Sequence, residues 1–178
     1  CDRRLGGRNR LRGVGAEVVR SPILSGGIEK DVSALRLDAI YRSIVDEHGV
    51  MLGQAIRAVA DAPDGAVLVH CTAGKDRTGL LCALVQLAID VPLETVLDDY
   101  SRSEINLGGE WSDRMLAKVR RFRITATPEL VLALTGSPRA LLTETLDWLD
   151  TRYGGLPAYL TSIGVDDQAV MALRERLA

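Results

Sequence analysis

The 178-residue chain predicts an α/β fold with more helix than strand, and three observations carry that expectation. A short β-branched apolar run, Ala66-Val67-Leu68-Val69, precedes a glycine-bearing loop, and a longer apolar run, Leu80 through Ile89, follows it. The first has the length of a buried strand and the second that of a helix. A second short strand is expected at residues 16–20, Ala-Glu-Val-Val-Arg. The last third is punctuated by helix starts and stops rather than by strand alternation.

Taken in order, residues 1–13 are rich in arginine and glycine. They read as a flexible surface segment or as a basic patch for a ligand. Residues 23–31 hold Gly26-Gly27 and read as loop, from which Glu29, Lys30 or Asp31 could reach a cleft. Ser33, with Asp31 as the competing cap, is expected to open a helix from about Ala34 to residue 47. A break at His48-Gly49 precedes a second helix, Val50 to Ala60, and Pro63-Asp64-Gly65 is a turn into the strand at 66–70. A helix apolar on nearly every face follows at 78–90, then one at 93–104 and, after Gly108-Gly109, one from Trp111 to Ile124. Thr127-Pro128-Glu129 and Ser137-Pro138 each read as a cap followed by a first-turn proline. Gly154-Gly155 closes the second of these helices, and short helices follow at 157–163 and from Asp166 or Asp167 to Leu177.

Composition narrows the function. Apolar content of 47% and charged content of 26% fit one soluble globular domain over residues 1–178. A net charge of −2 argues against bulk nucleic-acid binding. Lysines occur only at Lys30, Lys75 and Lys118, an arginine bias that reads as a GC-rich genome or as arginine-based phosphate recognition. The three cysteines, Cys1, Cys71 and Cys82, form no disulfide framework. Cys82 reads as a buried inert thiol, or else as a redox partner for Cys71. No apolar run approaches the roughly 20 residues that span a bilayer. No signal peptide is recognisable, so the expected location is cytoplasmic, or secreted by another route. No metal or cofactor is expected.

The chemistry concentrates in His70-Cys71-Thr72-Ala73-Gly74-Lys75-Asp76-Arg77-Thr78-Gly79. A loop curling into a helix N-terminus aims backbone N–H groups inward, and with the helix dipole they form an anion site. Arg77 adds a fork for two phosphate oxygens. Gly74 lets the backbone approach an anion closely. A cysteine on the floor of such a cradle is held toward the thiolate. The arrangement suits in-line attack of Cys71 on a phosphate ester, giving a phosphocysteine. Residues 72–77, meaning Thr72, Ala73, Gly74, Lys75, Asp76 and Arg77, would hold the phosphoryl oxygens. Thr78 would donate to the Cys71 sulfur and ease its departure. His70 would orient the loop.

The string His-Cys-x-x-Gly-Lys-Asp-Arg-Thr-Gly resembles the signature of the bacterial tyrosine-phosphatase-like family. That family includes dual-specificity and phosphoinositide phosphatases and is typified by a mycobacterial secreted phosphatase. Leu97-Asp98-Asp99-Tyr100-Ser101-Arg102-Ser103 and Arg152-Tyr153-Gly154-Gly155 resemble later stretches of the same family. The resemblance implies a small central parallel sheet flanked by helices, with residues 105–136 as a helical lid. It also implies an N-terminal segment with an Asn-Phe-Arg-Asp-like motif and a later Asp-Leu-Arg strand, neither of which occurs here, so the chain is expected to be a fragment, a cleaved product or half of a structure completed by a separate chain. No Trp-Pro-Asp tripeptide is present to supply an acid. In this branch the residue resembling Asp76 takes that role, although Asp76 could instead merely pair with a neighbouring base. Lys75 adds positive charge at the expected mouth, and in the resembling lipid phosphatases a basic residue there favours phosphoinositide headgroups. The expected substrates are phosphotyrosine, phosphoserine/threonine or phosphoinositides. Rival readings are a rhodanese-like sulfur transferase and a phosphate-binding module without turnover. A Walker loop fails because Asp76 follows Lys75 where Ser or Thr is needed.

Overall fold

A computed structural model of the chain describes residues 17–23 and 36–177. Among these residues every regular element is a helix. The order is α1 (Leu37–Asp46), α2 (Gly49–Ala60), α3 (Asp76–Ala88), α4 (Leu93–Asn106), α5 (Glu110–Arg121), α6 (Pro128–Thr135), α7 (Arg139–Tyr153), α8 (Leu156–Ser162) and α9 (Asp167–Leu177). No helix among them is long and apolar enough to cross a membrane.

The expected α/β architecture is corrected here: no strand and no parallel sheet occurs among the described residues. A strand exists only where a second backbone pairs with it. Residues 66–70 precede the loop without regular structure, and no backbone hydrogen bond from a described residue reaches them. Val67 and Leu68 are 42% and 68% exposed, so this run is not the buried central strand its composition implied. The expected partner at 16–20 carries no regular structure over 17–20 either. The apolar composition of both runs is real, but composition does not supply a ladder partner.

Helix packing builds the core instead. Leu80 and Leu84 of α3 are fully buried together with Ile44, Leu52, Ile56, Leu142 and Leu173. Helix α2 passes close to the end of α8: a Cβ added at Gly53 would lie 2.0 Å from the Ile163 carbonyl oxygen. Tyr159 donates its hydroxyl to the Val45 carbonyl at 3.1 Å, pinning α8 to α1. Helix α4 lies along α3, with Tyr100 seated on Gly79, where a Cβ would come within 3.1 Å of the ring. This contact explains a small residue one turn into α3.

Helix ends follow their sequence signals in part. Thr127 caps α6 by accepting from the Leu130 N–H, and Gly154, at φ +82°, ends α7 in the left-handed region. Ser137 does not cap α7. That helix starts at Arg139 behind Pro138, the Ser137 N–H donates to Glu104, and its hydroxyl is buried with no partner among the described residues. The alternatives Ser33 and Asp31, the arginine-rich residues 1–13 and the cleft candidates Glu29 and Lys30 lie outside the described residues.

Candidate active site

The loop between residue 70 and α3 brings most of the expected groups together. Gly74 has φ +74°, a conformation that favours glycine, and nothing lies within 4 Å of a Cβ built there. The turn it allows aims the Gly74 N–H at the Cys71 sulfur, 3.2 Å away. Helix α3 begins two residues later at Asp76, so its unpaired first-turn N–H groups lie at the loop. Arg77 is half-buried and donates through Nη2 to Thr72 Oγ1 at 3.1 Å and through Nη1 to the Ile23 carbonyl at 3.4 Å. Those bonds use two of its five N–H donors and fix the guanidinium against the loop. His70 is exposed, with its Nδ1 3.0 Å from the Cys71 carbonyl oxygen; as the Nδ1–H tautomer it donates there. Ala73 is half-buried.

Opposing effects act on the Cys71 thiol. Burial pushes it up, while the Thr78 hydroxyl and N–H, the positive charge of Arg77 and the Gly74 N–H push it down. The second group wins, and the thiol sits below its ordinary value. Thr78 Oγ1 is buried and meets no hydrogen-bond partner among the described residues, while its hydroxyl is the largest influence lowering the Cys71 thiol. Cys82 shows the reverse: burial, then the charge of Asp99, raises its thiol. At about neutral pH iodoacetamide should therefore modify Cys71 about tenfold faster than Cys82, read by peptide mass spectrometry. Equal rates, or Cys82 first, would contradict this ordering.

Lys75 does not stand at a mouth. Its side chain is 1% exposed and runs inward, where Nζ donates to the Gly136 carbonyl at 2.7 Å and the Ala133 carbonyl at 3.0 Å. The same nitrogen pairs with Asp76 Oδ1 at 2.9 Å. Tyr41 donates its hydroxyl to that oxygen at 3.4 Å and shares a 2.7 Å bond with the Tyr100 hydroxyl. Both tyrosines are buried, and burial first, then the Asp76 charge for Tyr41, keeps each hydroxyl protonated far above the usual range. None of these contacts uses Asp76 Oδ2, and the Asp76 side chain is 25% exposed.

Tyr41 falls within the helix expected from about Ala34 to residue 47 with no signal of its own, and Tyr100 within the Leu97–Ser103 stretch. The one local signal for their role is Gly79, whose missing Cβ makes room for the Tyr100 ring. The carbonyls of Ile23, Ala133 and Gly136 carry no sequence signal at all, because every residue has one.

A family model described as the tyrosine phosphatase family matches residues 15–178. A tyrosine-protein phosphatase of Nostoc commune is 35% identical over 127 residues, covering 70% of this chain and 43% of that protein. The triple specificity protein phosphatase PtpB of Mycobacterium tuberculosis is 30% identical over 121 residues, covering 61% and 42%. The inositol diphosphatase DSP3 of Arabidopsis thaliana is 29% identical over 80 residues, covering 45% and 38%. The chain thus spans less than half the length of each of these three relatives.

Proposed function

The chain belongs to the tyrosine phosphatase family, and from that premise we propose that it hydrolyses phosphate monoesters through a phosphocysteine on Cys71. The observation that carries this reading is a lowered thiol at the head of α3, facing an open glycine turn and an anchored arginine. The Cys71 thiolate attacks phosphorus, an S–P bond forms, and the ester P–O bond breaks. Arg77 and the loop N–H groups bear the charge that builds on the phosphoryl oxygens. Asp76 gives the leaving oxygen a proton through Oδ2. A water then attacks the phosphocysteine, Asp76 takes its proton, and the S–P bond breaks to release inorganic phosphate. The Thr78 hydroxyl receives the departing thiolate. The names of the Nostoc and mycobacterial relatives support phosphotyrosine as the first substrate to try. A phosphoinositide reading has support in the name of the Arabidopsis relative. Residues 105–136, which hold α5 and α6, would serve as the lid.

The test is turnover by the unaltered protein of phosphotyrosine peptides, phosphoserine peptides and phosphoinositides. No turnover of any of them would end the proposal. Asp76→Asn addresses the acid. It should lower kcat on phenyl phosphate, whose leaving group needs a proton, by about 10²-fold. On p-nitrophenyl phosphate, whose leaving group does not, the loss should be only a few-fold. Equal losses on the two esters would move the acid to another residue.

A further inference from the structure

The direction of Lys75 has a consequence of its own. An ammonium group has three N–H donors, and Lys75 Nζ meets three acceptors at 2.7–3.0 Å: the carbonyls of Gly136 and Ala133 and the carboxylate of Asp76. No donor is left over for a substrate. A buried charge persists only where it is paired and fully hydrogen-bonded, and this set of partners meets that requirement. The partners are also not arbitrary. Ala133 lies in the last turn of α6 and Gly136 directly after it, where helix carbonyls lack intrahelical partners and the dipole is negative. Asp76 is the first residue of α3, at the positive end of that helix. Lys75 therefore joins the C-terminal end of α6 to the N-terminal end of α3.

We propose that Lys75 is a positioning residue: it locks the end of α6 onto the phosphate-binding loop and holds Asp76 by Oδ1 so that Oδ2 faces the leaving group. This rests on the phosphatase reading for the role of Asp76, while the tie between α6 and the loop does not depend on it. Two features sharpen the assignment. The neighbouring oxygen contact from Tyr41 falls on the same Oδ1, so both anchors leave the same oxygen of Asp76 unused. The carboxyl is thus held from one side by a cation and by a hydroxyl that is itself fixed by Tyr100. At Gly136, where the backbone leaves α6 in an extended conformation, a Cβ would lie 2.5 Å from Leu132 Cδ1, and the carbonyl there accepts from the ammonium.

Lys75→Met keeps the length and removes the three donors. The expected result is a fall in kcat of about 10²-fold on phenyl phosphate and about tenfold on p-nitrophenyl phosphate, with KM nearly unchanged. Amide hydrogen exchange over residues 131–137 should accelerate at the same time. Equal kcat losses on the two esters would mean a general structural effect and overturn the orienting role. A selective rise in KM for a phosphoinositide, with kcat preserved, would place Lys75 on the substrate and overturn the whole proposal. Lysine labelling of the unaltered protein needs no variant to fold. An amine-reactive acetylating reagent, applied with and without vanadate, should modify exposed Lys118 and spare Lys75 in both samples. Labelling of Lys75 in the folded protein overturns the tie to α6. Absence of turnover by the unaltered protein would refute the phosphatase reading, and the labelling and exchange results would then decide the tie by themselves.

Discussion

Cys71→Ser should lower turnover of every phosphate ester by about 10⁵-fold while tungstate still binds. The size of the loss follows from what surrounds the sulfur. The Thr78 hydroxyl and N–H, Arg77 and the Gly74 N–H together overcome burial and hold a thiol toward its anion. A serine hydroxyl ionises several units higher than a thiol, and the same contacts fall far short of making it an alkoxide near neutral pH. The anion site itself survives the change. Arg77 remains tied to Thr72 and Ile23, and the loop turn depends on Gly74 rather than on the sulfur. Calorimetric titration with tungstate separates the two effects. Turnover within tenfold of the unaltered protein would remove Cys71 from the mechanism. Loss of tungstate binding together with turnover would show that the sulfur is needed to shape the loop.

Arg77→Lys should cost about 10³-fold in kcat/KM, although the charge is kept. Lysine is a point charge on a flexible stem, whereas the guanidinium presents a planar fork that matches two phosphoryl oxygens. The fork is also built into the scaffold here. Nη2 holds Thr72 within the loop, and Nη1 reaches the carbonyl of Ile23, a core residue from a separate segment. A lysine could not keep both anchors and face the phosphoryl group. Steady-state kinetics on p-nitrophenyl phosphate would show it, with a rise in KM for a monoester accompanying the fall in kcat. A loss below about tenfold would mean that charge alone suffices and that the fork does not clamp the transition state.

Much of the site was legible, and for local reasons. Gly74 sits where a left-handed turn is needed, Cys71 lies three residues before it, and Arg77 three residues after it. A turn and a helix start are made from neighbours in the chain, so spacing alone carried the anion cradle. The helices were legible from Thr127, Gly154, the breaks at His48-Gly49 and Gly108-Gly109, and the long apolar run that became α3. The sheet was not. Val67, Leu68 and Val69 have the composition of a buried strand, but composition says nothing of whether a second backbone comes alongside. Among the described residues none does. Ser137 shows the same limit on a smaller scale, since its hydroxyl accepts nothing among the described residues and the helix begins one residue later than the cap signal implied.

Sequence by itself determined which groups stand at the loop, because Cys71 to Thr78 are held together by the chain that connects them. Tertiary structure decided which way each one points. Lys75 lies beside Asp76 in the chain and reads as a cation at the mouth. It points inward because Ala133 and Gly136, 58 and 61 residues away, bring two carbonyls within hydrogen-bond reach of its ammonium. A charged side chain goes where its donors find acceptors, and those acceptors are backbone groups that no residue identity marks.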